Sequence, residues 1–346
     1  MKNLKKQITL INDKVNDIFG KGQITIIHVL ILILGFGLFI SYLVLKFNNP
    51  KLLVGGDNPQ QNLNYKIQVT SSAHESSSDY KYIFGDKDNC FQNYPLGAPD
   101  LNYDIKEKSA LFCYDRYATQ YNVLTKTPVW ESHVLRSSDF AKRNYVERSN
   151  NFREDENIAG KSFSAKPSDY TRTGFDRGHL APAGDFAYND KYMSDSFYMT
   201  NIAPQAPQNN RQIWSNLEQS IRKLLRTRGV NELYITTGVL YYKNEKDESS
   251  DGTLGQFKGI QIPTHFYKII IEPRSGQSAA YLIPNTNDVG NHSFSEYLIQ
   301  ISELEKITNI DFHPLLNSEQ REQIEKNSGS LNQYLISAQT NRNSGR

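Results

Sequence analysis

TGFDRGHLAPAGDF, residues 173–186, sets Asp176, Arg177, Gly178 and His179 side by side, with Gly174 and Gly184 on the flanks. A histidine with an ordinary pKa near about 6.5 can accept a proton at neutral pH, and the arginine beside it offers a permanent fork of donors suited to a phosphate. The glycines let the backbone turn tightly or lie close to a ligand, which a residue bearing a Cβ does at a cost. The run fits a base held beside a phosphodiester.

Around it, apolar and β-branched runs alternate with turn residues: 109–115, 127–135, 195–204, 231–242, 264–272 and 279–284. Each is expected to be a strand of a mostly antiparallel sheet. Between two of them, residues 209–229 place Ile213, Trp214, Leu217, Ile221, Leu224 and Leu225 at helical spacing, with Gly229 suited to the helix stop. The expected class is α+β, a mostly antiparallel sheet core with flanking helices and one prominent helix after the 173–186 run.

The ends differ from this core. Ile24 to Leu45 runs for 22 residues without Lys, Arg, Asp or Glu, enough at about 1.5 Å per residue to span a hydrocarbon layer of about 30 Å. One transmembrane helix is therefore expected over 24–45, after a basic segment, 1–23, whose lysines stay on the cytoplasmic or matrix side. Residues 46–80, rich in Asn, Gln and Ser, read as a flexible linker. The folded domain is expected over 81–317, and 318–346 as a polar tail that begins with a helix.

Composition narrows the classes further. The 346 residues carry a formal charge of only +2, so bulk charge does not mark a nucleic-acid binder. Cys90 and Cys113 are too few for a disulfide framework and lack the spacing of a zinc site. They form one bridge or none.

The 173–186 run together with SFYMTNIAPQAPQNNRQIWSNLE (196–218) resembles the DNA/RNA non-specific endonuclease family, the ββα-metal nucleases, and most closely its endonuclease G branch. FREDENI (152–158), TTG (236–238), PTHFYKIII (263–271) and YLIPN (281–285) extend the resemblance over roughly residues 90–316. It implies that His179 is the general base and that Arg177 lies near the phosphate. It also implies that Asn201 is an active-site asparagine and that Glu218 positions the waters of a magnesium ion. The resemblance also implies that Asn210 is the direct metal ligand; Asn209 is its neighbour, but only Asn210 keeps the family's four-residue step to the tryptophan, Trp214, and its eight-residue step to the glutamate, Glu218. Eight residues are roughly two helical turns plus about 80°, so the two side chains point to one broad side. A further family arginine holds the phosphate; spacing leaves Arg148 and Arg153, with Arg148 preferred. The stretch Gly184-Asp185-Phe186 departs from the family's AAN-like pattern, and Asp185 reads as a solvated loop residue or an extra carboxylate near the metal.

The resemblance further implies Mg2+ (or Mn2+) as cofactor, DNA and RNA as substrates, products with 5′-phosphate and 3′-hydroxyl ends, and a homodimer. It suggests a mitochondrial inner-membrane protein facing the intermembrane space; the anchor alone fits a secretory-pathway or cell-surface protein equally. Two other functions fit the same residues: a catalytically silent nuclease-like binding module, and a phosphodiesterase for small nucleotides. Basic residues at Arg136, Lys142, Arg143, Arg211, Arg222, Lys223, Arg226 and Arg228 are candidates for tracking a phosphate backbone.

Overall fold

The computed structural model describes residues 83–85, 90–141, 145–226, 229–242, 252–326 and 328–340. The expected membrane span at 24–45 and linker at 46–80 lie outside the described residues. Among the described residues, no helix is long and apolar enough to cross a membrane.

Ten strands matter for the site: β1 (Ile83–Gly85), β2 (Ser109–Cys113), β3 (Tyr117–Asn122), β4 (Thr127–Arg136), β5 (Asp176–His179), β6 (Ile202–Gln205), β7 (Glu232–Leu240), β8 (His265–Glu272), β9 (Gln277–Pro284) and β10 (Leu298–Ile299). Eight of them form one sheet in the order β1-β2-β3-β4-β7-β8-β9-β10. Only the β1–β2 pairing is parallel, so the mostly antiparallel expectation holds. The remaining two, β5 and β6, pair with each other as a separate antiparallel ribbon.

Alternation along β8 shows how the sheet divides the core. Phe266 and Ile270 face one side, where helix α1 (Ser215–Leu224) lays down Leu217, Ile221 and Leu224; Tyr267, Ile269 and Ile271 face the other, against Ile301 and Leu304 of helix α2 (Ile301–Thr308). Successive strand residues point to opposite faces, so a strand covered on both sides reads as the unbroken apolar run FYKIII. Lys268, on the α1 side, is the exception in that run and is fully buried.

Three differences from the sequence reading have plain causes. Strand β3, YATQYN, was not anticipated: Thr119 and Gln120 are buried polar residues, and they break the apolar signal. The run 195–204 is not one strand but the end of a short helix (Asp190–Asp195), a tight 3-10 turn (Met199–Asn201) and then β6. Residues after 317 do not hang off the domain. Helix α3 (Asn332–Thr340) lies along α1, with Leu331 and Leu335 buried among Ile221, Leu224 and Leu225, while Lys223 Nζ donates to the Ala338 carbonyl at 2.9 Å. Cys90 and Cys113, left open by the sequence, are bridged, tying the segment before β2 to β2 itself.

Candidate active site

Strand β5 is the DRGH motif, and its register sets His179 opposite Ile202 and Asp176 opposite Gln205 of β6. Gly178 is needed at this crossing, because a Cβ there would overlap the Gln205 side chain. After β6 the chain turns into a π-wound segment, Asn209–Trp214, that continues directly as α1. Two short strands and a helix therefore meet at one cleft.

The π winding bears on the geometry. Bonding from residue i to i+5 puts more residues in each turn, so each advances by less than the α-helical angle. The residual of about 80° expected between Asn210 and Glu218 for plain α winding therefore shrinks, and both stand more nearly in line along one face.

A cleft of about 270 Å³ is lined by Arg148, Phe152, Phe175, Asp176, Arg177 and Asn210 among others. His179 lies beneath it, 8% exposed, with its ring against Phe152 at 5.3 Å and Phe197 at 4.8 Å. The Arg177 backbone carbonyl is the one polar group beside the ring that favours a proton on it, whereas Nε2 has no partner in the protein. A carbonyl only accepts, so Nδ1 carries the hydrogen and Nε2 is left with its lone pair. Burial first, and the Arg148 charge second, push the His179 pKa down to about 3, so the imidazole is neutral at working pH.

The arginines sit on aromatic rings at the cleft wall. Arg177 Cζ lies 4.3 Å from the centroid of Phe152, and Arg148 Cζ lies 4.9 Å from that of Phe197. Arg153 is turned away: it donates to the Ser194 carbonyl at 2.8 Å, lies 3.8 Å from Asp195 and stacks on Tyr198. Of the two arginines that spacing left open, Arg148 is the one at the cleft.

The neighbouring asparagines separate in the same way. Asn209 is fully buried, its Oδ1 accepting from Gln205 at 2.8 Å and its Nδ2 donating to the Pro284 carbonyl at 2.7 Å. Asn210 is half-buried and donates its Nδ2 to Asp176 at 2.9 Å. A carboxylate only accepts, so the Asn210 amide oxygen faces away from it. Although burial opposes it, hydrogen bonds from Arg211 and Asn210 hold the Asp176 carboxyl below its ordinary pKa. Glu218, on α1, is half-buried; burial raises its pKa, against the charges of Arg222, Lys268 and Arg148.

Asn201 is not at the cleft. Its amide is used up inside, accepting from the Ala181 backbone NH at 2.9 Å and donating to the carbonyls of Ala181 and Ser196 at 3.0 and 2.8 Å. It fastens the loop that follows His179. Asp185 is neither a solvated loop residue nor a cleft carboxylate, being buried between His133 and Arg222. Arg222 is thereby removed from the candidates for tracking phosphate, Lys223 caps α3, and Arg226 donates to Tyr145; Lys142, Arg143 and Arg228 lie outside the described residues.

Among the described residues one group of His, Cys, Asp or Glu side chains brings three donors within 4.8 Å, namely Glu305, His313 and Glu325. It belongs to the α2 side of the sheet, away from the cleft, and Arg321 already bonds both Glu325 and Asp311 there.

Residues 97–319 match the sequence model of a family described as DNA/RNA non-specific endonuclease. The chain belongs to that family. A family member in Saccharomyces cerevisiae, "Mitochondrial nuclease", is 29% identical over 293 residues, which is 80% of this chain and 82% of the relative. Human "Endonuclease G, mitochondrial" is 30% identical over 63% of this chain and 72% of its own length. Human "Nuclease EXOG, mitochondrial" is 30% identical over 59% of this chain and 57% of its own. A crystal structure titled for an EndoG/EndoGI complex superposes with a TM-score of 0.57 at 28% identity, covering 66% of this chain and 93% of the other. The family's match contains the whole cleft and ends before α3.

Proposed function

We propose that this protein is a Mg2+-dependent endonuclease that hydrolyses the phosphodiester bonds of DNA and RNA, leaving 5′-phosphate and 3′-hydroxyl ends. The observation that carries the reading is the unpartnered Nε2 of a neutral His179, placed beneath a cleft whose walls are Arg148, Arg177 and Asn210. A binding module without chemistry has no use for a buried ring nitrogen kept deprotonated and unsatisfied, a costly arrangement unless something arrives to meet it.

His179 takes a proton from water as the water oxygen attacks phosphorus in line; the P–O3′ bond breaks, the departing 3′-oxygen takes a proton from a solvent water to become the hydroxyl, and His179 gives its own proton back to solvent. The carbonyl of Arg177 holds the imidazole in the tautomer that can do this and stabilises the imidazolium that forms. Arg148 and Arg177 hold the phosphate, and the anion cancels the cationic field that depresses the imidazole's basicity, so His179 becomes a stronger base when substrate is present. The Asn210 amide oxygen and the Glu218 carboxylate are hard oxygen donors of the type magnesium accepts, with Glu218 acting through water. When bound there, magnesium supplies neutralising charge for the phosphate and the departing oxygen. No step needs a ribose 2′-hydroxyl, and contacts to phosphate carry no base information, so both polymers qualify.

The resemblance to the mitochondrial nucleases and the uncharged run 24–45 support a single-span anchor in the mitochondrial inner membrane, with the nuclease domain (81–317) beyond a linker on the intermembrane-space side. A Cys90–Cys113 bridge fits a compartment less reducing than the cytosol. We place the protein there as a homodimer, following the family resemblance.

The test is cleavage of duplex DNA, single-stranded DNA and RNA by the detergent-solubilised protein, with end-labelling of products in the presence and absence of EDTA. Expected are cleavage of all three, arrest by EDTA, and 5′-phosphates. Cleavage of RNA alone, surviving EDTA and yielding cyclic phosphates, overturns the reading.

A further inference from the structure

Behind the cleft, on the face of the sheet that α1 covers, lies a group of charges that the reaction above does not use. Strand β4 turns Glu131, His133 and Leu135 toward that face, and Glu131 and His133 are fully buried. The His133 ring meets a carboxylate at each nitrogen: Nδ1 lies 2.6 Å from Glu131 Oε1, and Nε2 lies 3.2 Å from Asp185 Oδ2. The other oxygen of Asp185 accepts from Arg222 at 2.6 Å, and the same Arg222 nitrogen lies 3.9 Å from Glu218, one helical turn earlier on α1. Gly184 is part of this join, since a Cβ there would stand 3.2 Å from the Arg222 guanidinium.

A neutral imidazole has one N–H, and a carboxylate has none. With carboxylates at both nitrogens and no water between, a neutral ring would face one of them lone pair to lone pair. With both carboxylates ionised, the geometry is satisfied only by the imidazolium. Charge balance agrees: Glu131, Asp185 and Glu218 are matched by Arg222, Lys268 and His133 when the last carries its proton. Removing one member of such a buried set leaves an uncompensated charge, which the structure must move to relieve. The other neighbours supply no substitute. From β3, Tyr117 is spent donating to the Asp195 carbonyl; from β7, the paired residue is Ile235; from the 183–186 turn, Phe186 offers only its ring. From β8, the Lys268 charge acts on Glu131, Asp185 and Glu218.

We propose that His133, as an imidazolium, is a positioning residue: it holds Asp185, Asp185 holds Arg222, and Arg222 sets Glu218 on the helix that also presents Asn210. The inference rests on the nuclease reading, in which Glu218 orders the waters around the metal. Burial alone would discharge this ring, but Glu131 and Asp185 outweigh it and push its pKa up to about 9. Alkali therefore releases the chain of contacts without touching the cleft.

The experiment measures kcat and KM on plasmid DNA against pH for the intact protein and for His133→Gln, Gly184→Ala and Glu218→Gln, with thermal unfolding of each. For the unaltered protein, kcat is expected to fall as pH rises through about 9, with KM unmoved. His133→Gln should lower kcat by roughly 10–100-fold at neutral pH, the usual scale for losing a second-layer orienting group, and should abolish the alkaline fall. Gly184→Ala, which only crowds Arg222, should give a smaller loss in kcat, again with KM unchanged. A folded His133→Gln variant with unaltered kcat, or with the alkaline fall intact, overturns the inference. If that variant does not fold, a flat kcat for the unaltered protein from about pH 8 to 10, or full turnover by Gly184→Ala, overturns it instead. Full turnover by Glu218→Gln defeats the nuclease role given to Glu218, whatever His133 does, so the two failures are told apart.

Discussion

Two of the buried histidines of this domain, His179 and His133, are held by their surroundings in different charge states. His179 has arginines near it, a carbonyl at one nitrogen and nothing at the other, and burial is left to win: its pKa falls to about 3. His133 has the same burial but a carboxylate at each nitrogen, and its pKa rises to about 9. Burial does not decide a histidine's charge. The partners at its two nitrogens do, and here one arrangement makes a base while the other makes a clamp.

The sharpest way to break the contrast is to remove the base. His179→Ala is expected to lower nuclease turnover by roughly 10²–10⁴ while leaving the fold and DNA affinity largely intact. Plasmid cleavage near the normal rate by a folded variant would end the assignment.

The arginines come next. Arg148→Ala should cost about 10–100-fold in kcat/KM, the scale of about 1.5–3 kcal/mol for one hydrogen bond to a charged group. Arg153→Ala should leave cleavage within about twofold and instead lower stability by about 1 kcal/mol through its contacts to Ser194 and Asp195. A reversal of the two phenotypes in steady-state kinetics would move the phosphate site to the Tyr198 side of the domain.

A magnesium titration then separates the asparagines. Asn210→Ala should shift the activity curve to higher magnesium. Asn209→Ala should leave the curve in place but destabilise by about 1–3 kcal/mol, because it strands Gln205 and the Pro284 carbonyl in the core. If Asn209→Ala shifts the curve and Asn210→Ala does not, the register of the helix has been misread.

The gentlest probe is stability against pH. Between about 6.5 and 3 the unfolded chain holds a proton that His179 refuses, so His179 makes stability fall as pH drops through that window. Between about 6.5 and 9 the folded chain holds a proton on His133 that the unfolded chain has released, so stability falls as pH climbs. Chemical denaturation across pH should show both slopes, with His133→Gln flattening only the alkaline one. An unchanged alkaline slope in that variant would deny His133 its charge.

The two histidines also mark what the sequence could and could not disclose. The cleft was legible because its residues are tied by local spacing: DRGH on one strand, and Asn210, Trp214 and Glu218 on one helix. Asn201 was named an active-site asparagine on resemblance alone, and nothing local indicated that its amide would be taken up by Ala181 and Ser196. His133, Asp185 and Arg222 come from three distant segments, and each alone looks like an ordinary surface residue. One signal was available. Glu131 and His133 share a strand face with Leu135, and polar residues on the apolar side of a strand must find partners inside. Among the strands, β3 escaped notice for a related reason, as Thr119 and Gln120 are polar residues that the fold buries.

The packing of α3 along α1 has a consequence for the gene. A premature stop codon after residue 319 would spare every residue matched to the family and every side chain proposed to touch substrate. It would still strip Leu331 and Leu335 from Ile221, Leu224 and Leu225, opening to water the back of the helix that carries Glu218. Codons 320–340 are therefore coding for the nuclease as surely as the codons of DRGH, and nonsense alleles there should behave as nulls.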